Sequence, residues 1–566
     1  MRRNLIYFAF FLAILLFVFR SLIFNISSHL IDWYDYPLAV WIVSQNVDKF
    51  ILFNFKELFN TNFLYPYSNT LLLTETFFAQ SILALPAGFL TTNPILIFNF
   101  MFLITFVLNF VTANVFWREV FKKNKLAFLG TLLTVFSPFF HTELSHFQLQ
   151  SYWPALIALY FILKSEYENQ NKNLALAGVF ISIQFLASVY LAVFLLTAVV
   201  IYFISRFLIY HKILFEIKRF FLVFFVFISL SWPLILGYLT TKQMFGVERP
   251  YGEFVVYSAH LSDYFFSGSI KSFIHGIDIF KKWNSFNHHW ASLFPGFFLT
   301  IFSFLGLANL KIKNKKINLN ISLSSMDLFF LLLVLAGFVF SLGPRAGFNG
   351  NYAEIPLPYH FVVKYLPFFD VIRAPSRWVF IFYPGLIYFS LKFLSKQNLN
   401  NLKFSILALI VLLEYVPIGV KSYSQFYLYP KDDFLRNICK EEKKVILEVP
   451  ITHFDAGKDI FEGLSYITRT ILASNYHKCY LVNGYTSYDL PSVGELKNSL
   501  YEASLKNDLT RFTSLLKSSK AHFVVVNSAD LKEEVKTDFL AMIDKLVKTG
   551  YLSENVNGVY EIRIPD

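Results

Sequence analysis

The strongest constraint on this chain is a series of long apolar runs, each bounded by a short cluster of charged residues. A soluble domain cannot bury so many runs, so most of them must face lipid. Of the 566 residues, 55% are hydrophobic and only 16% are charged. Soluble globular chains carry about a quarter charged residues. The pattern predicts a polytopic α-helical membrane protein.

The apolar runs predict about eleven membrane-spanning helices. Their expected positions are 5–24, 95–117, 126–140, 151–163, 174–188, 190–205, 220–240, 291–309, 326–343, 378–395 and 402–420. Lys and Arg are roughly five times denser in the loops of one side than in those of the other. The basic side is the cytoplasmic side. We therefore expect a multi-pass protein of the plasma (inner) membrane with a cytoplasmic N-terminus that forms an uncleaved first helix.

The same charge rule decides two ambiguous stretches. Basic residues flank 174–205 on both sides, so this stretch should be a hairpin of two short helices. The stretch 71–90 is also apolar, but counting it as a span would place a basic loop outside. We expect it to be a helix that lies along the outer membrane surface.

Composition changes at about residue 421, where charged residues become frequent and further spans are excluded. The expected division is a transmembrane domain at 1–420, with an outer loop at 28–94 that carries interfacial helices, and a soluble α/β domain at 421–566. Eleven spans place that domain on the extracytoplasmic side. The expected strands are 445–450, 521–527 and 559–564, and the expected helices are 505–517 and 530–549.

Two global features exclude some functions. The net charge of +12 lies mostly in short inner loops, which is typical of membrane topology rather than of nucleic-acid binding. The only cysteines, Cys439 and Cys479, are too few for a disulfide framework. We expect two unpaired thiols, and one bridge stays open if the C-terminal domain lies in an oxidising compartment.

Carboxylates and aromatic residues are concentrated in the first outer loop, which holds Asp32, Asp35 and Glu75. A carboxylate there can act as general base towards a hydroxyl group. The alternative is a solvated loop whose aromatic residues anchor it at the interface.

The second outer loop contains Glu143 and His146 close together. These two residues, joined by Glu75, are candidate ligands of a divalent metal ion, although the spacing is not that of zinc proteases. Another outer stretch holds six His and Asp residues, and we expect its histidines to be ordinary surface histidines: His260, Asp263, His275, Asp278, His288 and His289.

Three arginines lie on the outer side against the charge bias: Arg345, Arg373 and Arg377. Arginine suits bidentate binding of a substrate phosphate. Contact with lipid head groups is an equally open interpretation. No P-loop, GxGxxG or GxSxG motif occurs, so nothing indicates nucleotide hydrolysis.

Several short segments occur in a distinctive order: Asp35–Trp41, Asn62–Glu75, Leu85-Pro86 with Asn93-Pro94, Ser137-Pro138, His146–Gln150 before Trp153-Pro154, and Ile372–Arg377. In this order the chain resembles the GT-C superfamily of polytopic membrane glycosyltransferases, and within it a poorly characterised bacterial-type group. The likeness covers roughly residues 25–420, together with a C-terminal α/β domain of matching kind.

The resemblance implies transfer of a sugar from a polyprenyl-phosphate-linked donor to a glycan, lipid or protein acceptor. It makes Asp35 the catalytic base, with Asp32 as the alternative, and makes Gln148 and Gln150 candidate substrate contacts. The chain has no Asp-x-Asp motif, and Glu143 and His146 stand where many relatives have an Asp. Metal dependence is therefore open, and no other cofactor is expected.

Two other classes of function remain. A transporter or flippase for lipid-linked saccharide would place charges near the middle of the membrane and often has repeated halves. The acidic residues of this chain lie mainly in outer loops, which disfavours transport. A membrane scaffold without catalytic activity is the second alternative, and sequence alone does not distinguish it.

Overall fold

A computed structural model describes residues 2–268, 270–308, 324–366, 369–425, 430–556 and 558–565. The chain divides into two compact units. The helix unit comprises Met1–Ile23, Phe102–Pro233 and Arg249–Lys421, and the sheet unit comprises Phe24–Met101, Leu234–Glu248 and Ser422–Asp566. The outer loop at 28–94 thus belongs to the same unit as the C-terminal region.

Every predicted span contains helix. The helices of this region are α1 (Arg2–Val18), α2 (Arg20–Ile23), α3 (Tyr36–Ile51), α4 (Phe78–Gly88), α5 (Pro94–Phe121), α6 (Asn124–Val135), α7 (Pro138–Glu143), α8 (Trp153–Lys164), α9 (Gln170–Ala187), α10 (Val189–Tyr210), α11 (Ile213–Phe245), α12 (Tyr251–Val256), α13 (Asp278–Asn284), α14 (Phe297–Ala308), α15 (Ser325–Ser341), α16 (Pro358–Tyr365), α17 (Val379–Ser395) and α18 (Asn401–Tyr415).

Four described helical stretches are long and apolar enough to cross a membrane: Pro94–Phe121, Val189–Tyr210, Ile213–Phe245 and Pro375–Ser395. Shorter apolar helices accompany them. The chain is a membrane protein, and the number of eleven spans stays a prediction.

Two helix ends that lie near prolines differ from their predicted positions. Helix α18 ends at Tyr415, because Val416 precedes Pro417 and the residue preceding a proline avoids helical geometry. Helix α14 begins at Phe297, after Pro295 and after Gly296, whose backbone is left-handed (φ 91°). The prediction of one continuous helix over 71–90 is wrong. A short 3₁₀ turn at Thr70–Leu73 precedes α4, and Phe77 between them has a left-handed backbone (φ 53°).

The predicted break inside 174–205 is confirmed at Ser188. Its backbone is extended (φ −163°, ψ 123°), and its Oγ accepts a hydrogen bond from the N–H of Leu191 at 3.5 Å. Ser188 therefore caps α10 and separates it from α9, against which α10 packs.

Helix α17 lies at the centre of the helix unit and packs against α6, α14 and α15. Glycines permit this close approach. A Cβ atom added at Gly306 of α14 would meet the carbonyl oxygen of Phe389 at 2.1 Å, and one at Gly337 of α15 would meet the backbone N of Phe382 at 2.7 Å. Small residues at helix contacts are typical of membrane bundles, where van der Waals packing holds the helices together.

A buried ion-pair network joins the ends of α8, α10 and α11. Arg219 contacts Glu216 at 3.1 Å and Glu166 at 2.5 Å, while Arg206 Nε contacts Glu216 at 3.0 Å. Arg219 and Glu216 are almost fully buried. Two cations and two anions thus balance one another where water is largely excluded.

The sheet unit is an α/β structure at its C-terminal end. In chain order, the strands among the described residues are β1 (His29–Leu30), β2 (Arg345–Phe348), β3 (Asn351–Pro356), β4 (Tyr423–Ser424), β5 (Val445–Val449), β6 (Tyr480–Leu481), β7 (Phe523–Val526), β8 (Leu552–Val556) and β9 (Val559–Ile562). The C-terminal helices are α19 (Pro430–Glu441), α20 (Ile460–His477), α21 (Pro491–Leu505), α22 (Leu509–Ser518) and α23 (Glu533–Lys548).

Five strands form one sheet in the order β6-β5-β7-β9-β8. Strand β5 pairs in parallel with β6 and β7, whereas β9 pairs antiparallel with β7 and β8. The predicted strands at 445–450, 521–527 and 559–564 are confirmed as β5, β7 and β9. Strands β1 and β4 form a separate antiparallel pair, as do β2 and β3.

The first outer loop contributes backbone to the β6 edge of this sheet. The N–H of Leu481 donates to the carbonyl of Asn62 at 2.7 Å, and the N–H of Tyr65 donates to the carbonyl of Leu481 at 2.8 Å. Trp41 of α3 donates its indole N–H to the Ser474 hydroxyl at 3.1 Å. The loop and the C-terminal region therefore pack as one structure.

The expectation of two unpaired thiols is wrong. Cys439 and Cys479 form a disulfide with Cα atoms 5.3 Å apart. Helix α19 packs against α20, which brings Cys439 beside Cys479, two residues after the end of α20. This contact between elements 40 residues apart is not encoded in local spacing.

Candidate active site

The two candidate bases of the first outer loop have different environments. Asp32 is buried, and its Oδ2 accepts hydrogen bonds from the backbone N–H groups of Tyr34 at 3.0 Å and Asp35 at 2.9 Å. Asp35 occupies the N-cap position of α3 without a side-chain cap bond and is only half-buried. Asp32 thus stabilises the turn that presents Asp35.

A further carboxylate, Asp459, belongs to this region of the sheet unit. It caps α20 by accepting from the N–H groups of Phe461 and Glu462, both at 2.9 Å. Burial, Asp32 and Asp459 together raise the pKa of Tyr34, whose ring lies 5.3 Å from that of Phe461. Asp459 is not among the site residues predicted from the sequence, although an acidic residue three positions before a Glu is typical of a helix start.

Glu75 lies in the same unit, between the 3₁₀ turn at Thr70–Leu73 and α4, and is half-buried. The neighbouring carbonyl of Thr74 accepts a hydrogen bond from the Tyr238 hydroxyl at 3.3 Å.

In the helix unit, Glu143 and Arg377 form a buried ion pair. Arg377 Nε lies 3.1 Å from Glu143 Oε2, and His146 Nδ1 lies 3.0 Å from the same oxygen. Burial alone would raise the pKa of Glu143, but Arg377 and His146 outweigh it and lower the pKa to about 2. Glu143 is therefore an anion at neutral pH, and Arg377 balances its charge.

Tyr190, at the start of α10, connects the two arginines of the 372–377 segment. Its hydroxyl accepts a hydrogen bond from the backbone N–H of Arg373 at 2.9 Å, and its ring lies 5.2 Å from the Arg377 guanidinium. The Arg373 guanidinium is half-buried and lies 5.1 Å from the ring of Tyr257. The segment is thus held by an ion pair, a hydrogen bond and two cation–π contacts.

The remaining candidate substrate contacts differ in exposure. Arg345 is exposed at the start of β2, and Gln148 is half-buried. Gln150 is fully buried, and neither its Oε1 nor its Nε2 has a hydrogen-bond partner. An unsatisfied buried amide carries a substantial free-energy cost, so this position suits contact with water or a polar ligand.

The metal role predicted for Glu75, Glu143 and His146 does not fit the donor set well. The Glu143 charge is already balanced by Arg377, which disfavours a second cation. Within the described ranges, no group of three or more His, Cys, Asp or Glu residues could hold a metal ion. The metal role stays a prediction without support from the geometry.

The expectation of ordinary surface histidines at 260–289 is wrong for two of the four histidines, His260 and His275. His260, Asp263 and His275 are buried, whereas Asp278 and His288 are exposed. Asp263 Oδ2 lies 2.8 Å from His289 Nδ1, and the ring of His289 stacks 3.7 Å from that of His260. Burial and His289 lower the pKa of His260 to about 4. The β2–β3 hairpin covers this cluster, since the N–H of Gly350 donates to His260 Nδ1 at 3.0 Å.

Comparison with solved structures gives the fold its class. The arabinofuranosyltransferase AftD from Mycobacteria is 13% identical, with a TM-score of 0.56, over 98% of this chain and 37% of the AftD chain. The oligosaccharyltransferase of Archaeoglobus fulgidus in its apo form is 12% identical, with a TM-score of 0.48, over 86% of this chain and 65% of that one. The archaeal oligosaccharyltransferase AglB from Archaeoglobus fulgidus, in complex with an inhibitory peptide and a dolichol-phosphate, is 12% identical, with a TM-score of 0.46, over 94% of this chain and 71% of that one.

The chain spans little more than a third of AftD, and the likeness to AftD is a likeness of fold alone. The resemblance predicted from sequence is thereby confirmed at the level of fold. The chain belongs to the family described as domain of unknown function DUF6311, whose model matches residues 53–416. No curated protein sequence matches it.

Proposed function

We propose that this protein is a membrane glycosyltransferase that transfers a sugar from a polyprenyl-phosphate-linked donor to an acceptor hydroxyl on the outer face of the membrane. The GT-C-like fold supports membrane glycosyl transfer in general. The observation that carries the proposal is the placement of Asp35, half-buried at the start of α3 and held by the turn that Asp32 stabilises. The disulfide in the sheet unit supports an extracytoplasmic location, since disulfides persist in oxidising compartments.

In the proposed reaction, Asp35 accepts the proton of the acceptor hydroxyl while the oxygen of that hydroxyl attacks the anomeric carbon of the donor. The bond between that carbon and the phosphate oxygen breaks, and polyprenyl phosphate leaves as the anion. Direct displacement of this kind inverts the configuration at the anomeric carbon.

The leaving phosphate needs a cation, and the three candidate arginines suit different roles. Arg373 and Arg345 are the proposed phosphate ligands, because the charge of Arg377 is already balanced by Glu143. Arg377 instead holds the segment that carries Arg373. Gln150, whose buried amide has no protein partner, is proposed to contact the substrate.

The test is sugar transfer by purified chain in proteoliposomes, with a panel of short polyprenyl-phosphate pentoses and hexoses as donors. Asp35→Asn should lower transfer by roughly 10²- to 10⁴-fold, the usual contribution of a general base. The variant should insert into membranes and elute from gel filtration like the wild type. Asp48→Asn is the matched control, because it removes an exposed carboxylate from the same helix.

Unchanged transfer by Asp35→Asn would remove Asp35 from the mechanism. Movement of the lipid-linked sugar across the vesicle membrane without any transfer would replace the proposal with a flippase.

A further inference from the structure

The topology of the five-stranded sheet creates a crevice at one of its edges. Strand β5 lies between its two parallel partners, β6 and β7. The next strand in the chain, β6, lies on one side of β5, and the strand after it, β7, lies on the other side, so the strand order reverses at β5. In parallel sheets, ligands bind outside the carboxyl ends of the strands where the strand order reverses in this way. The loops that follow β5 and β7 lie at this position.

A cavity of about 310 Å³ lies beside these loops and is lined by Phe454 and Asp455 after β5, by Lys497 and Asn498 of α21, and by Lys532 and Glu534 at the start of α23. We name it the strand-edge cleft. A smaller cavity of about 70 Å³ adjoins it and shares Phe454 and Lys497. The larger volume lies at the lower end of the range for small-molecule sites.

The floor of the strand-edge cleft is rigid. Asp455 is buried and accepts hydrogen bonds from the backbone N–H groups of Ile451 and Thr452, both at 2.8 Å. The Tyr501 hydroxyl also donates to this carboxylate. The Asp455 backbone contacts the loop after β7, because its carbonyl accepts from the N–H of Lys532 at 3.2 Å.

The walls of the cleft offer both an apolar face and unengaged polar groups. Phe454 is 48% exposed, and Lys497 Nζ lies 5.9 Å from its ring centroid. Across the described parts of the chain, no hydrogen bond engages the side chains of Asn498, Lys532 or Glu534. The cleft therefore presents an aromatic ring together with an amide, ammonium groups and a carboxylate.

This combination suits a neutral, polyhydroxylated ligand. The two lysines are balanced by Asp455 and Glu534, so the cleft has no excess positive charge for a phosphate. The adjacent start of α23 already carries Glu533 and Glu534 in its first turn, which further disfavours an anion. Sugar hydroxyl groups both donate and accept hydrogen bonds, and the C–H face of a sugar ring packs on an aromatic face.

We infer that the strand-edge cleft binds a neutral saccharide unit of the acceptor, an inference that rests on the proposed glycosyltransferase function. The C-terminal domain then holds the acceptor glycan, while the base and the phosphate ligands come from other segments. Phe454 supplies the stacking surface, and Asn498, Lys532 and Glu534 bind the hydroxyl groups.

The test is isothermal titration of the full-length chain in lipid nanodiscs, without donor, against neutral di- and trisaccharides and against inorganic phosphate. The wild type should bind at least one saccharide and no phosphate. Phe454→Ala should weaken saccharide binding by about ten-fold, since it removes the stacked ring. Asn498→Ala should weaken binding too, and Leu505→Ala, an exposed apolar position on the same helix α21, should leave it unchanged.

Three outcomes would each overturn the inference. The wild type binds no saccharide, Phe454→Ala binds saccharide with wild-type affinity, or the chain binds phosphate and both Phe454→Ala and Asn498→Ala abolish that binding. Transfer assays distinguish it from the proposed function. Phe454→Ala should raise the KM for acceptor with kcat unchanged. If Asp35→Asn loses transfer but Phe454→Ala binds saccharide normally, only the inference about the cleft is refuted. If Asp35→Asn keeps full transfer but Phe454→Ala binds saccharide more weakly, only the assignment of Asp35 as the base is refuted.

Discussion

The buried pair of Glu143 and Arg377 predicts a defined dependence of stability on pH. Arg377 and His146 hold the pKa of Glu143 at about 2, against 4.5 for an unperturbed glutamate. Because the folded state lowers this pKa, the stabilisation is fully present above pH 4.5 and disappears as the pH falls towards 2. A difference of this size corresponds to roughly 3 kcal/mol of unfolding free energy, at 1.36 kcal/mol per pKa unit.

The perturbation is Glu143→Gln, which keeps the side-chain shape and removes the charge. It should lower the free energy of unfolding at pH 7 by roughly 3 kcal/mol or somewhat more, because the Arg377 charge is left buried without a partner. The two proteins should converge in stability as the pH falls from 4.5 to 2. Reversible unfolding in mixed detergent micelles, followed by circular dichroism over this pH range, measures the effect.

Glu441→Gln is the control, since it removes an exposed carboxylate at the end of α19 and should unfold like the wild type at every pH. Parallel pH profiles for Glu143→Gln and the wild type would refute the reasoning. They would mean that the carboxylate gains no net stabilisation from Arg377.

Three further changes test other parts of the structure. Asp32→Asn should lower the free energy of unfolding by about 1–3 kcal/mol, because it weakens two backbone hydrogen bonds of the turn before α3. Thermal unfolding of the purified chain should show this as a lower midpoint. Cys439→Ser should cost about 4 kcal/mol from the loop entropy of a 40-residue closure, and reductant should then have no further effect on limited proteolysis. Arg219→Gln should lower the free energy of unfolding by about 3–5 kcal/mol, since it leaves Glu216 buried with fewer partners. Equal midpoints for the variant and the wild type, when both are unfolded in detergent, would contradict this.

The helices could be predicted from sequence because a long apolar run is a local signal. The break at Ser188 was also accessible, since the charges on either side of 174–205 require the chain to turn back. Strand β6 was missed because it has only two residues and carries no alternation. Helix α20 was missed because its pattern combines apolar, polar and glycine positions without a distinct apolar run.

The candidate site was accessible only in part. The sequence indicates the carboxylates of the first loop, but the different roles of Asp32 and Asp35 depend on backbone hydrogen bonds that form only in the folded turn. The pairing of Glu143 with Arg377 joins residues 234 positions apart, and no local spacing encodes it. The burial of His260 depends on a hairpin that follows 90 residues later.

The backbone bonds between Asn62–Tyr65 and β6 have a consequence for biogenesis. Asn62 is translated early, yet Cys479, whose carbonyl accepts a hydrogen bond from the Asn62 side-chain amide just before β6, lies 417 residues further along the chain. The contact between the loop and β6 therefore closes only after the membrane helices have been made. Until then the backbone of Asn62–Tyr65 in the ribosome-bound chain lacks its partner strand β6. Unpaired strand edges of this kind are bound by chaperones and by neighbouring copies of the chain. A recombinant fragment that starts after the last membrane helix would expose the complementary edge on β6 and should self-associate, whereas one fused to the 28–94 loop should remain monodisperse.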